Sequence, residues 1–202
     1  MCMKIRKIEK LDEIETATLG HYNQHAEAYW QGTKDYDVSQ NYQAFLAPFQ
    51  KGKVLDILDL GCGPGRDINY FQSLGHRPVG LDGSEIFCRM ARQYTGCQIL
   101  QQTFLNLDLP SQSFDGIFAN ASLFHVPARG LPRVLLDLYT ALGQAAFYSY
   151  PTLAAMAKAG QAKGMDITCN LTVANFFWRR QALKLFNIII GHRASLNMNN
   201  LG

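Results

Sequence analysis

Apolar residues recur along the first two thirds of the chain with two alternating periods. Ile5, Ile8, Leu11 and Ile14 fall at helical spacing, as do Tyr22, Ala26, Tyr29 and Trp30, so two amphipathic helices are expected ahead of any strand. The run from Val54 to Leu60, Val-Leu-Asp-Ile-Leu-Asp-Leu, then reads as an inner strand of a parallel sheet, because it is β-branched and leucine-rich and ends in glycine. Ile68, Phe71 and Leu74 return to helical spacing, with Gly75 as a stop. Pro78 to Leu81 gives a second strand. Ile86, Phe87, Met90, Ala91 and Tyr94 give a helix that Ser84 can cap. A third strand is expected over Cys97 to Gln102 and a fourth over Phe114 to Ala119. Pro132 then opens a helix whose Val134, Leu135, Leu138 and Leu142 face the sheet. This order predicts an α/β fold with a doubly wound sheet.

The chemistry concentrates where the first strand ends. Gly61, Gly63 and Gly65 alternate directly after it, and glycines past the carboxyl end of an inner strand let the backbone approach a ligand closely. Ligands bind at this rim in open α/β sheets, where the strand order reverses. The dinucleotide fingerprint needs its third glycine where this chain has Arg66. The second strand ends in Asp82, 23 residues after Asp59, and an acidic side chain there suits the two hydroxyls of a ribose. Adenosine is thus the expected handle. Each of these residues has a plainer reading. The glycines can mark only a tight turn, and Asp82 can cap a helix. His125 can act as a base or satisfy a loop backbone group, with the structural role favoured. Tyr22, Tyr29 and Trp30 are expected to pack rather than to touch substrate.

Composition narrows the classes. The 202 residues, 48% of them hydrophobic, suffice for one domain with a real core. A formal charge of +3 without a basic block argues against nucleic acid. The five cysteines Cys2, Cys62, Cys88, Cys97 and Cys169 form no C-x-x-C pair, which argues against a disulfide framework or a metal site and for a reduced compartment. Residues 1–10 hold charge but no apolar signal core, and no segment approaches a membrane span. A cytoplasmic monomer is expected.

The stretch Leu58-Asp59-Leu60-Gly61-Cys62-Gly63-Pro64-Gly65, together with Val79-Gly80-Leu81-Asp82, resembles the first two motifs of the class I S-adenosylmethionine-dependent methyltransferases. The run from Phe114 to Pro127 is similar to their fourth strand and the loop after it. The resemblance covers roughly residues 20 to 142. It implies a Rossmann-like doubly wound sheet, with residues 1–50 as a helical cap and 51–142 as the core that binds S-adenosylmethionine. It further implies that Asp59, Gly61, Cys62, Gly63, Gly65 and Arg66 form the cofactor loop, and that Asp82 and Gly83 hold the ribose. Thr103 and Phe104 would flank the adenine, and Asn120 and Ala121 would follow the fourth strand. The acceptor would be a small molecule, with His125 the one candidate for a catalytic role and no metal required. Thr103 departs from the family, which usually carries an acid there; a neutral acceptor could weaken binding by roughly tenfold. Two alternatives stand beside this reading: an inactive cofactor-binding remnant, and a nicotinamide-dependent dehydrogenase, which Arg66 disfavours.

The resemblance stops after Leu142. Residues 143–202 carry six Lys and Arg against the single acid Asp166, whereas residues 1–142 carry 13 basic and 15 acidic residues. Joining the third base of each codon to the first two of the next, the codons for Gly143 to Tyr148 permit Pro-Gly-Gly-Val-Leu. That is the family's turn into its fifth strand. Ala154 to Asp166 permits a glycine- and aromatic-rich loop, two of its glycines forced by Met156 and Met165, and Phe177 to Leu183 permits Leu-Glu-Ala-Ala-Gly-Phe. Residues 143–202 are therefore read as an out-of-frame tail. Ala145 to Tyr150 could still form a makeshift fifth strand, while Trp178 and Phe186 are expected to be poorly buried.

Overall fold

The computed structural model describes residues 2–143 of the chain, with side chains from residue 11 onward. Three helices lead: α1 (Cys2–Gln24), α2 (Ala26–Thr33) and α3 (Ser39–Leu46). Four strands follow, β1 (Asp56–Leu60), β2 (Arg77–Asp82), β3 (Ile99–Gln101) and β4 (Gly116–Phe118), interleaved with α4 (Arg66–Ser73) and α5 (Glu85–Thr95) and ended by α6 (Leu131–Ala141). All four strands are parallel, in the order β3-β2-β1-β4. The chain thus winds outward from β1 through β2 to β3 and then returns to the other side of β1. This reversal places the ends of β1, β2 and β4 beside one another on one rim, as expected of a doubly wound sheet.

Both sheet faces are covered, which is why β1 reads as an unbroken apolar run. Ile57 packs with Phe118, Phe71, Tyr42 and Phe45 on the face under α3 and α4. Leu58 and Leu60 pack with Ile117, Leu81, Val134 and Leu138 on the face under α6. A third cluster joins α4 and α5 to β3 through Ile68, Cys88, Ala91 and Ile99. Each fully buried Leu, Ile or Phe contributes about 1.5–3 kcal/mol relative to exposure.

The structure corrects several boundaries. β1 starts at Asp56, and Val54 is exposed, because the pairing with the next strand begins where Arg77 N donates to Leu55 O. Leu74 does not join the buried face of α4: the chain leaves the helix there, and His76 N returns to Phe71 O around Gly75 at φ +82°. Ile14 is likewise exposed. The second predicted helix is split at His25, so Tyr22 belongs to α1. Leu142 is extended instead of helical and bridges Phe114 in parallel, with Gly143 N donating to Phe114 O at 2.8 Å. α3 was not expected, although Tyr42 and Phe45 fall three residues apart and are both buried. The tail beyond residue 143, including the expectations for residues 145–150, Trp178 and Phe186, lies outside the described residues.

Candidate active site

The loop between β1 and α4 is shaped by two glycines for different reasons. Gly61 sits at φ +75°, and a Cβ there would lie 2.4 Å from Ser122 Cβ, so the loop after β4 closes directly over it. Gly65 caps α4 at φ +100°, and a Cβ would come within 2.9 Å of Thr95 Cγ2 and 3.2 Å of Ala91 Cα. Close packing of α4 on α5 demands that glycine. Between them Cys62 is buried, and burial together with the Asp59 carboxyl holds its thiol well above the ordinary range.

Arg66 turns toward the cap. Its Nη1 donates to Thr33 O at 3.0 Å and its Nε to Asp67 Oδ1 at 2.7 Å. Asp67 also accepts from the Tyr42 hydroxyl at 2.5 Å and from Asn120 Nδ2 at 3.3 Å, and Asn120 Oδ1 accepts from Asn41 Nδ2. Burial and the neighbouring Asp67 raise the Tyr42 hydroxyl above its usual range. A residue not singled out from the sequence thereby ties α2, α3 and the loop after β4 to the start of α4.

Asp82 ends β2 facing the glycine loop. Its Oδ2 accepts from Gly63 N at 2.9 Å and its Oδ1 from Ser84 N at 2.8 Å. Burial pushes this carboxyl up, against backbone amides of Ser84, Gly63 and Gly83 that favour the ionised form. Each oxygen keeps a further lone pair for a ligand hydroxyl. The cap of α5 is Ser84, whose Oγ accepts from Phe87 N at 3.1 Å and donates to Asn23 Oδ1 of α1 at 2.6 Å.

A half-open cavity runs along this rim. Of the residues singled out from sequence, Gly61, Gly63, Asp82, Gly83, Thr103, Phe104, Ala121 and His125 line it; Asp59, Cys62, Gly65, Arg66 and Asn120 do not. Ala121 holds φ +56°, an uncommon conformation for a residue with a side chain. Tyr22 and Tyr29, expected only to pack, line the cavity edge-to-face at 5.6 Å, whereas Trp30 packs on Tyr94. The Tyr22 hydroxyl meets His125 Nε2 at 2.9 Å. Burial lowers His125 below the usual histidine range, and burial with the Asp82 charge raises Tyr22, so both groups are neutral at neutral pH. Glu15, Thr18, Leu19, Phe87 and Ser122 also line it without having been foreseen. That α1 lies here agrees with the helical cap that the resemblance implied for residues 1–50.

Residues 57–144 match the family model described as a methyltransferase domain. This stretch, from β1 to the end of α6, is thus similar to a methyltransferase domain. The chain is 33% identical over 112 residues to an uncharacterized methyltransferase of Schizosaccharomyces pombe, a match covering 48% of this chain and 40% of that protein. It is 29% identical over 111 residues to a sterol 24-C-methyltransferase of Yarrowia lipolytica, covering 50% of this chain and 27% of that one. The chain therefore spans less than half the length of these curated relatives. A TehB-like methyltransferase structure from Corynebacterium glutamicum superposes with a TM-score of 0.53 at 24% identity, covering 60% of this chain and 69% of that one, and shares its fold.

The residues on the rim fit an adenosyl group. The cradle at Gly61 is one that a Cβ would fill, and Asp82 offers ribose acceptors at the second strand end. Two buried atoms have no hydrogen-bond partner among the described residues: Asp59 Oδ2 and Ser122 Oγ. Leaving such a group unsatisfied costs about 1–3 kcal/mol. Burial and the Asp67 carboxylate hold the Asp59 carboxyl well above its usual range, with Arg66 opposing. Ser122 lines the cavity, while its Oγ is itself covered.

Proposed function

We propose that this chain binds S-adenosylmethionine across the glycine loop and methylates a small molecule. The carrying observation is the Asp82 carboxylate on the rim of a cavity that continues past Gly61 to Ser122 and His125. Asp82 and Gly83 hold the ribose, Thr103 and Phe104 flank the adenine, and Gly61 and Gly63 let the ligand lie close to the backbone. Ala121 borders the methionine end. Asp59, Cys62, Gly65, Arg66 and Asn120 act from behind, shaping the loop. Bound there, the cofactor supplies a methyl carbon made electrophilic by its sulfonium. The protein contributes position: Tyr22 and Tyr29 close the cavity from the cap, and the Tyr22–His125 hydrogen bond holds the cap to the loop after β4. Aligned transfer gains chiefly from such positioning, so no strong base is needed.

Arg66 occupies the position of the third dinucleotide glycine and its side chain is committed to Thr33 and Asp67, which speaks against a nicotinamide enzyme. Titration calorimetry of the full chain with S-adenosylhomocysteine and with NAD tests the reading. Uptake of the first and not the second is expected; NAD binding alone overturns it.

A second reading, a remnant that binds the cofactor without transfer, is favoured by the composition and codon pattern after Leu142. On that view residues 1–50 are the cap, 51–142 the core and 143–202 an out-of-frame tail. Resequencing the gene around the codons for Leu142 and Gly143, and restoring the frame by one base, should recover methyl transfer. Unchanged behaviour after restoration counts against the frameshift. We read the protein as a cytoplasmic monomer; no described helix is long and apolar enough to cross a membrane.

A further inference from the structure

We propose that Glu15 of α1 reads the adenine amino group, so that the cap supplies the charged acceptor for the base. The inference rests on the methyltransferase reading, which sets ribose at Asp82 and adenine beside Thr103 and Phe104. The amino group of adenine carries two N–H donors and needs acceptors at that end of the cavity. Of Thr103, Phe104 and Leu105, which line it there, only Thr103 has a polar side chain, a neutral hydroxyl. The Thr103 carbonyl is engaged in its own turn, accepting from Asn106 N at 3.1 Å.

α1 lays one face along the same rim. Glu15, Thr18, Leu19 and Tyr22, at positions i, i+3, i+4 and i+7, all line the cavity. Two contacts fix where this face lies. Leu19 packs on Gly83, its Cδ2 2.7 Å from where a Cβ would stand, so it covers the residue after Asp82. One turn earlier Glu15 Oε1 accepts from Leu105 N at 3.3 Å, across 90 residues of sequence, which holds the carboxylate beside the adenine end.

The carboxylate keeps capacity for a ligand. Its Oε2 makes no hydrogen bond or ion pair among the described residues, and no Lys or Arg among them lines the cavity. The Thr18 hydroxyl turns away to Ile14 O at 2.9 Å, which leaves Glu15 as the acceptor of this face nearest Leu105. A hydrogen bond to a charged acceptor is about twice as strong as a neutral one, so Glu15 should favour a base that bears an amino group.

The test is calorimetry of the full chain with S-adenosylhomocysteine and with its analogue carrying hydrogen in place of the adenine amino group. The native chain should prefer the amino compound by about tenfold. Glu15→Gln keeps an oxygen for Leu105 N and loses the charge. It should weaken S-adenosylhomocysteine by about tenfold and leave the hydrogen analogue within about twofold of its original affinity. A tie that only steadies the cap would weaken both ligands alike or neither, and either pattern overturns the proposal. Equal affinity of the native chain for the two compounds also overturns it, while leaving the cofactor reading in place. Failure of the native chain to take up S-adenosylhomocysteine is a separate result, which removes the methyltransferase reading and this inference with it.

Discussion

The two walls of the cavity are built in different ways. On the strand-end wall, Gly61, Gly63, Asp82 and Ser84 are fixed by their own strands and turns, through hydrogen bonds such as Gly63 N to Asp82 and Ser84 N to Asp82. The cap wall is held by contacts between distant residues: Glu15 with Leu105, Tyr22 with His125, Asn41 with Asn120. The first wall is set by the sheet, whereas the second depends on a few polar ties. Binding geometry and cap closure should therefore be separable by mutation.

The largest effect is expected at the hub of the cap. Asp67→Ala leaves the Arg66 guanidinium and the Tyr42 hydroxyl without their acceptor and should cost about 3 kcal/mol of stability. Thermal melting should then fall by roughly 6–12 °C. An unchanged melting temperature would mean that the cap is held by its apolar contacts alone. Asp82→Ala acts on the other wall, weakening S-adenosylhomocysteine binding by about 2–4 kcal/mol through loss of charge-assisted bonds. Full affinity in a folded variant removes the ribose role.

A smaller effect has a pH signature. The folded-state value of Asp59 is raised, so its contribution to stability is complete below its unfolded value, near about pH 4, and is lost as pH rises through the folded value. Asp59→Asn, neutral throughout, should stabilise the ligand-free protein at pH 7 by about 1–3 kcal/mol, and the gain should vanish toward about pH 4. Asp82, also raised, should leave a residual slope of the same sign. A variant destabilised at pH 7 would show that the Asp59 carboxylate is needed in place. The smallest change is Thr103→Asp, which gives the adenine amino group a charged acceptor and should tighten S-adenosylhomocysteine binding by about tenfold. Weaker binding would mean that Thr103 does not face the adenine.

The same contrast explains what could be read from the chain beforehand. The order of strands, the glycine loop, Asp82 and the Ser84 cap were legible because each signal lies within a few residues of what it specifies. Asp67 was passed over because its partners Tyr42 and Asn120 become neighbours only once the sheet has formed. Ser122 and Glu15 are invisible for the same reason, having nothing local to mark them. Leu74 misled because helical spacing alone cannot show that the chain departs one residue earlier.

The Ser84 hydroxyl carries a consequence for timing. It has a single proton, directed at Asn23 of α1, and this orients a lone pair at the Phe87 amide, whose ring lines the cavity. Whenever α1 lifts away, that rotor loses its reference direction and the amide loses its fixed acceptor. Isotope exchange at the Phe87 amide should thus act as a clock for lid opening, slowing when a ligand holds the lid shut and quickening in Asn23→Ala, while the amides of β1 keep the pace of the whole fold.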